Sequence, residues 1–368
     1  MRKLFILILI YICFGINAYA IDTSADCACL INADTGEVLY SHNSEKIHSM
    51  ASTTKIMTAI IALEKSNFEE LVTVSKTAQN QEGSSVYLRE GEQVKMADLL
   101  YGMMLNSGND AACAIAEHIS GNSDDFAILM TEKAKEIGAK NTSFKNANGL
   151  DADGHYSTAL DMAKITAYAL KNREFSKIVS EKTASINTSG SITYLKNHNK
   201  LLWNYDGCIG VKTGYTKRTG RCLVSAATRN GITLIAVTLD DPDDWKDHTA
   251  LLNFGFENTT VKTLIKKGDI VKSFKTKNAK FNAVAAENLN ITASNSQISD
   301  AKIVIHTIKH ANSNIAKNEK IGYIECILNG NVVATSDLLC DTEVIVKNKV
   351  KNNSFRIYLF NIIRKLLI

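Results

Sequence analysis

Between residues 21 and 261, strand-like segments lie at both ends and helical ones fill the middle, and this order most constrains the fold. Residues 27–31 and 37–40 are apolar runs around Asn32-Ala-Asp-Thr-Gly36, a hairpin pattern. Residues 52–65 predict a helix, with Ile56, Ile60 and Leu63 at helical spacing and Met57 and Ile61 beside them. Residues 96–105, 110–119 and 124–137 continue the helical block, the last stopping at Gly138. Thr158-Ala-Leu-Asp161 resembles a capping box and opens a helix to about Lys171. Strands then return at 222–228 and 232–239 around Arg229-Asn230-Gly231, a strong short hairpin signal, and 243–254 predicts a further helix. A mixed sheet covered by helices fits this order, and a βαβ repeat does not.

The texture changes from about residue 262. Lys, Asn, Ser and Thr rise, and short β-branched runs appear at 303–307, 321–328 and 344–350, predicting a small β domain over 262–350. A chain of 368 residues has room for about two domains. An apolar fraction of 45% and a charged fraction of 22% exclude a disordered or collagen-like chain, and the single proline, Pro242, excludes Pro-rich linkers. Charge is uneven. Residues 22–261 hold 23 Lys and Arg against 30 Asp and Glu, whereas 262–368 hold 17 against 8. A basic C-terminal third suits an anionic surface.

Both ends carry segments of another kind. Arg2 and Lys3 precede an apolar run from Leu4 to Ile16, followed by Ala18-Tyr-Ala20, so residues 1–20 read as a secretory signal peptide. Residues 355–368 place Phe355, Tyr358, Leu359, Ile362, Ile363 and Leu366 on one broad helical face. The run is too short to span a bilayer, which takes about 20 residues, so residues 351–368 read as an amphipathic anchor on the membrane surface. Export turns the basic third toward lipid or wall polymer and away from nucleic acid. The seven cysteines beyond the signal cannot all pair within one chain and read mostly as small buried residues. No metal-ligand spacing and no phosphate or dinucleotide loop occurs, so no metal and no cofactor is expected.

Three short motifs carry the chemistry: Ser52-Thr-Thr-Lys55, Ser107-Gly-Asn109 and Lys212-Thr213-Gly214. Each alone is weak, although Lys-Thr-Gly occurs once. Ser299-Asp-Ala-Lys302 repeats the first, and Ser41-His-Asn43 and Ser120-Gly-Asn122 repeat the second. Order, spacing and context together make the signal. Positions three apart share a helix face, so Lys55 can reach the Ser52 hydroxyl. A serine needs a base to become a nucleophile, and an amine serves once desolvation and a nearby cation lower its pKa. Lys212 can supply that charge. Ser107-Gly-Asn109 falls in a turn between two predicted helices, and Lys212-Thr213-Gly214 immediately precedes a hairpin, where glycine lets a substrate backbone come close.

This set, with its surroundings, resembles the D-alanyl-D-alanine carboxypeptidases, the low-molecular-mass penicillin-binding proteins. The resemblance includes Ala51–Thr58 as Ala-Ser-Thr-Thr-Lys-Ile-Met-Thr, Leu99-Leu-Tyr-Gly102, Ser107-Gly-Asn-Asp-Ala-Ala112, Asn148-Gly-Leu-Asp151, His155-Tyr-Ser-Thr-Ala159, Asn197-His-Asn-Lys-Leu-Leu202 and Gly210-Val-Lys-Thr-Gly-Tyr-Thr216. It implies an α+β fold: a β-lactamase/DD-peptidase-like catalytic domain with helices around an antiparallel sheet over 21–261, then the small all-β domain and the terminal amphipathic helix. It implies Ser52 as acylated nucleophile, Lys55 as base and Ser107 as proton relay. Asn109 would hold a substrate amide and position Lys55. Lys212 and Thr213 would bind the terminal carboxylate, Gly214 would admit the substrate backbone, and the Ser52 and Tyr215 N–H groups would form the oxyanion hole. The implied partners are peptidoglycan stem peptides, with β-lactams as covalent inhibitors, at the outer face of a bacterial cytoplasmic membrane.

Some positions depart from the pattern: Met50 and Ala147 stand where prolines are common, and Thr219 where alanine is, which puts local rigidity in doubt. Asp151 and His155 read as a structural loop beside the site, and His118 and His198 as satisfied polar histidines. The acidic run 240–247 reads as a solvated loop and helix cap. Competing readings are a DD-endopeptidase, a serine β-lactamase and a non-catalytic wall-binding protein. The E-x-x-L-N pattern that deacylates class A β-lactamases is missing between Asn109 and Lys212. Three intact motifs argue against an inert protein.

Overall fold

A computed structural model describes residues 21–188, 190–275, 280–309 and 313–345. The expected signal peptide and amphipathic anchor lie outside the described residues. The chain divides into two compact units after Glu257. Among the described residues, no helix is long and apolar enough to cross a membrane.

The first unit is built on five strands: β1 (Cys27–Asn32), β2 (Val38–His42), β3 (Cys208–Thr216), β4 (Gly220–Arg229) and β5 (Ile232–Leu239), in the order β2-β1-β5-β4-β3. Every neighbouring pair is antiparallel. The sheet is therefore antiparallel throughout, where the order of elements alone suggested a mixed one. Asn230 and Gly231 both have positive φ, as a two-residue hairpin turn of type I′ requires.

Strand periodicity sorts the side chains into two layers. Cys29, Ile31, Val224, Ala226, Ile235 and Val237 face the large helical layer, whereas Leu30, Leu223, Ala227, Leu234 and Ala236 face the opposite side. The helical layer holds α1 (Lys55–Lys65), α2 (Met96–Leu105), α3 (Asn109–Ser120), α4 (Ser123–Ile137), α5 (Ala159–Leu170) and α6 (Arg173–Ser180). Leu251 and Leu252 of α7 (Asp244–Asn258) cover the other face. Every residue of α1 from Lys55 to Ala62 is buried, so it is the central helix of this layer. Each buried side chain such as Ile56 or Phe126 contributes about 1.5–3 kcal/mol by leaving water. The Thr158 hydroxyl accepts from Asp161 N–H at 3.0 Å and so caps α5.

In the second unit, strands Ile270–Lys275, Lys280–Ala285, Asn331–Cys340, Lys320–Leu328 and Lys302–Thr307 form a five-stranded sheet in that order. Thr259–Ile265 pairs with Leu289–Ser294 in a smaller sheet. Phe281, Ile324, Leu328 and Leu338 fill the core. Of the run predicted over 344–350, Val344 makes an isolated bridge to Ile315, and 346–350 lie outside the described residues.

The acidic run corrects its sequence reading. Asp241, Asp244 and Asp247 are buried, not solvated. Ser24 donates to Asp241 and Asp247 at 2.9 and 2.8 Å, and Arg221 grips Asp244 at 2.7–3.1 Å. All seven described cysteines are free thiols, six of them buried.

Candidate active site

The site forms where α1, the turn before α3 and the edge strand β3 meet. Helix α1 is preceded by a 3-10 turn, Ala51–Thr54, which holds Ser52. Ala51 has φ 46° and Ser107 has φ 61°, left-handed values that cost a residue with a side chain about 1–3 kcal/mol. Both flank the cleft, so backbone strain collects where the polar side chains must be aimed.

Lys55, the first residue of α1, is fully buried. Its Nζ donates to Ser52 Oγ at 2.9 Å, to Asn109 Oδ1 at 2.7 Å and to the Asn148 carbonyl at 2.5 Å. Burial pushes its pKa well below the usual lysine range, and the Lys212 charge adds to this, opposed weakly by Asp110. Lys212 is also buried, which lowers its pKa to about 7. It donates to Ser107 Oγ at 3.0 Å and to the Thr213 carbonyl at 2.8 Å. Two amines thus each sit within hydrogen-bond reach of a serine hydroxyl.

The loops are tied down. Asp110 is buried and accepts from the Val86 and Leu88 N–H groups and from Ser85 Oγ at 2.6–3.1 Å, fixing the loop that brings Ser84 to the cleft. Asn109 Nδ2 donates to the Glu82 carbonyl at 2.5 Å, which orients its Oδ1 toward Lys55. Asn148 stands on a loop pinned to α1 by Thr58, which donates to the Ala147 carbonyl at 2.6 Å, and by Thr54, 2.8 Å from His155 Nε2. Burial lowers the His155 pKa to about 4, so it is a neutral structural group. Asp151 accepts from Thr216 and Thr219 at 3.1 and 3.0 Å. The three departures from the family pattern are all buried, and Thr219 also donates to Ser49 at 2.7 Å.

Lys212-Thr213-Gly214 lies inside strand β3, directly ahead of the β4–β5 hairpin as its position in the sequence suggests, and β3 itself pairs with β4, Tyr215 opposite Arg221. Among the described residues, its outer side has no strand neighbour in the sheet. An extended peptide can therefore pair with it. A Cβ on Gly214 would lie 3.0 Å from Ser52 N, so glycine lets β3 press directly on the turn that carries Ser52.

The resulting cleft has a volume of ≈ 320 Å³. Ser52, Ser107, Thr213, Gly214 and Tyr215 line it, while Lys55, Asn109 and Lys212 lie buried beneath. All eight expected residues thus come together, five in the wall and three below. The sequence reading missed the Asn148 carbonyl, because a main-chain acceptor leaves no residue-type signal. It also missed Ser84, Arg221, Asp244 and Trp245 in the wall. His198, expected as an ordinary satisfied histidine, lines the cleft too, with a pKa lowered by burial and by the Lys212 charge.

Comparison with known proteins gives a consistent family. A family profile described as D-alanyl-D-alanine carboxypeptidase matches residues 16–243, and one described as penicillin-binding protein 5, C-terminal domain, matches residues 260–350. The chain is 35% identical over 326 residues to D-alanyl-D-alanine carboxypeptidase DacF of Bacillus subtilis, covering 85% of this chain and 84% of that one. It is 32% identical over 336 residues to DacC of Escherichia coli, covering 84% and 82%. Among solved structures, penicillin binding protein 5 from Haemophilus influenzae superposes with a TM-score of 0.65 at 29% identity, covering 88% of this chain and 98% of that one.

Proposed function

The chain belongs to the D-alanyl-D-alanine carboxypeptidase family, and from that premise we propose that Ser52 carries the reaction as its acylated nucleophile. The protein is a serine-type D-alanyl-D-alanine carboxypeptidase with a penicillin-binding-protein fold. Ser52 Oγ attacks the carbonyl of the penultimate D-alanine, and neutral Lys55 takes its proton across the 2.9 Å contact. The tetrahedral oxyanion is held by the N–H groups of Ser52 and Tyr215. Ser107 passes a proton to the leaving amine, supplied from its contact with Lys212. Asn109 holds the substrate amide and fixes Lys55. Lys212 and Thr213 receive the terminal carboxylate, and water then hydrolyses the Ser52 ester.

The observation that carries this reading is the buried Lys55 amine beside Ser52, its pKa pushed down by burial. A solvated lysine would be protonated at neutral pH and useless as a base. β-Lactams, with a strained amide in place of the D-alanyl bond, acylate the same serine. The enzyme works on peptidoglycan stem peptides after export, at the outer face of the cytoplasmic membrane. Residues 1–20 direct that export and 351–368 hold the enzyme to the lipid surface, a reading supported by their sequence pattern.

The test is a fluorescent penicillin. Stable label mapping to Ser52 and absent in Ser52→Ala is the expected result. Rapid drug hydrolysis without stable label makes the protein a β-lactamase instead. A folded protein with neither label nor hydrolysis removes the catalytic reading.

A further inference from the structure

A cation that reads a free carboxylate best is exposed and permanently charged, and Lys212 is neither. It is 2% exposed, and its ammonium is already shared between Ser107 Oγ and the Thr213 carbonyl. Its pKa of about 7 leaves part of it neutral at neutral pH. It acts on the substrate from beneath. A guanidinium stays charged at any pH an enzyme meets. Arg221 brings one to the wall of the catalytic cleft, with its side chain 43% exposed.

The register of β3 and β4 says where this guanidinium stands. Tyr215 and Arg221 are direct partners, and directly opposed residues share a face of the sheet. Thr213, two residues before Tyr215, lies on that face as well. Diagonal neighbours of this kind are about 7–8 Å apart, within reach of a long side chain. The guanidinium is also clamped. Nε and Nη2 donate to the two Asp244 carboxylate oxygens at 2.7–3.1 Å. The guanidinium carbon lies 5.8 Å from the centre of the Trp245 ring. Asp244 is buried at the start of α7, so the clamp has a fixed base. Among the described residues, none accepts from Nη1. A held guanidinium therefore keeps one edge for a ligand. Lys200 Nζ, also 5.8 Å from the Trp245 ring, adds a second cation to the same wall.

We propose that Arg221 reads the free carboxylate at the end of the substrate, and that Asp244 is its positioning residue. The inference rests on the proposed function and deepens it. With the attacked carbonyl at Ser52, the terminal carboxylate lies beside Thr213. Arg221 Nη1 donates to one of its oxygens and the Thr213 hydroxyl to the other. Arg221 is thus a specificity residue for a peptide that ends at a free acid. A peptide whose last carboxylate is amidated keeps the same scissile bond and leaves this contact unmade.

The test gives the full chain two substrates, a stem peptide ending in D-Ala-D-Ala and the same peptide amidated at its terminal carboxylate. The wild type is expected to favour the free acid. Arg221→Gln raises KM for the free acid by about tenfold, the effect of losing a hydrogen bond between charged groups, with kcat kept within about threefold. KM for the amide stays within about twofold, so the preference narrows. Arg221→Lys keeps the charge without the fork and recovers part of the loss. Asp244→Asn leaves the guanidinium but loosens it, and moves KM for the free acid the same way by a smaller factor. If Arg221→Gln fails to fold, Arg221→Lys and Asp244→Asn carry the same comparison of acid with amide. An unchanged KM for the free acid overturns the proposal. So do equal losses on both substrates, which a merely structural arginine would give, and a wild type with equal KM for acid and amide. No D-alanine release by the wild type together with no penicillin label on Ser52 instead removes the reading of Ser52 on which the proposal stands.

Discussion

Lys55 and Lys212 show how a residue's surroundings decide its chemistry. Both are lysines with an ordinary pKa near 10.5, both are fully buried, and both are lowered by that burial. For Lys55 the second cause is the Lys212 charge. The sign follows: Lys55 works as a base only when neutral, so acylation falls as pH drops through its lowered pKa. Removing the Lys212 charge lets the Lys55 pKa rise again. Lys212→Met is therefore expected to move the acid limb of the penicillin acylation profile to higher pH. Its amplitude also drops, since Lys212 binds carboxylate, but the midpoint is the readout. An unmoved midpoint would show that Lys212 does not tune Lys55. The sequence names the tuning cation, Lys212, and the Ser52–Lys55 spacing, but not the burial that lowers both lysines, which depends on tertiary packing.

At the scale of elements, the site is a contact between a strained turn and two neighbours that leave no room. A Cβ on Gly149, which has φ +88°, would fall 2.0 Å from the Ala51 carbonyl oxygen. Gly149→Ala must therefore displace either its loop or the Ala51–Thr54 turn, moving Ser52 away from Lys55 or the Asn148 carbonyl away from both. A shift of about 1 Å at reacting groups costs about 100-fold. Penicillin acylation is expected to fall by about that factor, while circular dichroism shows the helices retained; unchanged acylation would show that the loop does not set the turn. Much at this scale is legible beforehand. The predicted helices over 96–105 and 124–137 and the Asn230-Gly231 hairpin are present with small shifts at their ends, because periodicity and caps are local signals. The first helix splits into a 3-10 turn and α1 at Lys55, since side-chain spacing does not distinguish the two geometries. Asp241, Asp244 and Asp247 were misread because their partners, Ser24 and Arg221, are distant in sequence. The eight expected residues come together because the motif spacing marks them, whereas the wall formed by Arg221, Asp244 and Trp245 depends on tertiary packing alone.

At the scale of the molecule, both tryptophans, Trp203 and Trp245, lie in the first unit, so tryptophan fluorescence reports on the catalytic unit alone. That unit also holds two buried histidines. His155 is lowered to about 4 and His248 to about 3, both by burial from an ordinary value of 6.5. His248 sits between Ser225 Oγ, 2.5 Å from Nδ1, and Thr238 Oγ1, 2.9 Å from Nε2, and so joins α7 to β4 and β5 while neutral. As pH falls from 6.5, the unfolded chain takes up protons on these rings and the folded chain does not, so stability is lost through that window. Asp241 acts the other way. Burial raises its pKa to about 6, and it takes a proton in the folded state before the unfolded one does, from about pH 6 toward 3.8. The two histidines together are shifted further than Asp241, so the net change is a loss. Lys212 adds little acid slope, because below its folded value of about 7 it is protonated in both states, whereas Lys55, neutral when folded and protonated when unfolded, adds to the loss as pH falls toward its lowered pKa. The fluorescence-detected Tm is therefore expected to fall steadily from pH 6.5 to 4. His248→Gln lowers Tm at pH 7 by loosening the bridge from α7, but flattens the slope below pH 6.5. A variant with an unchanged slope would show that His248 is not the proton-excluding group, and that acid sensitivity resides in His155, Lys55 and the paired carboxylates.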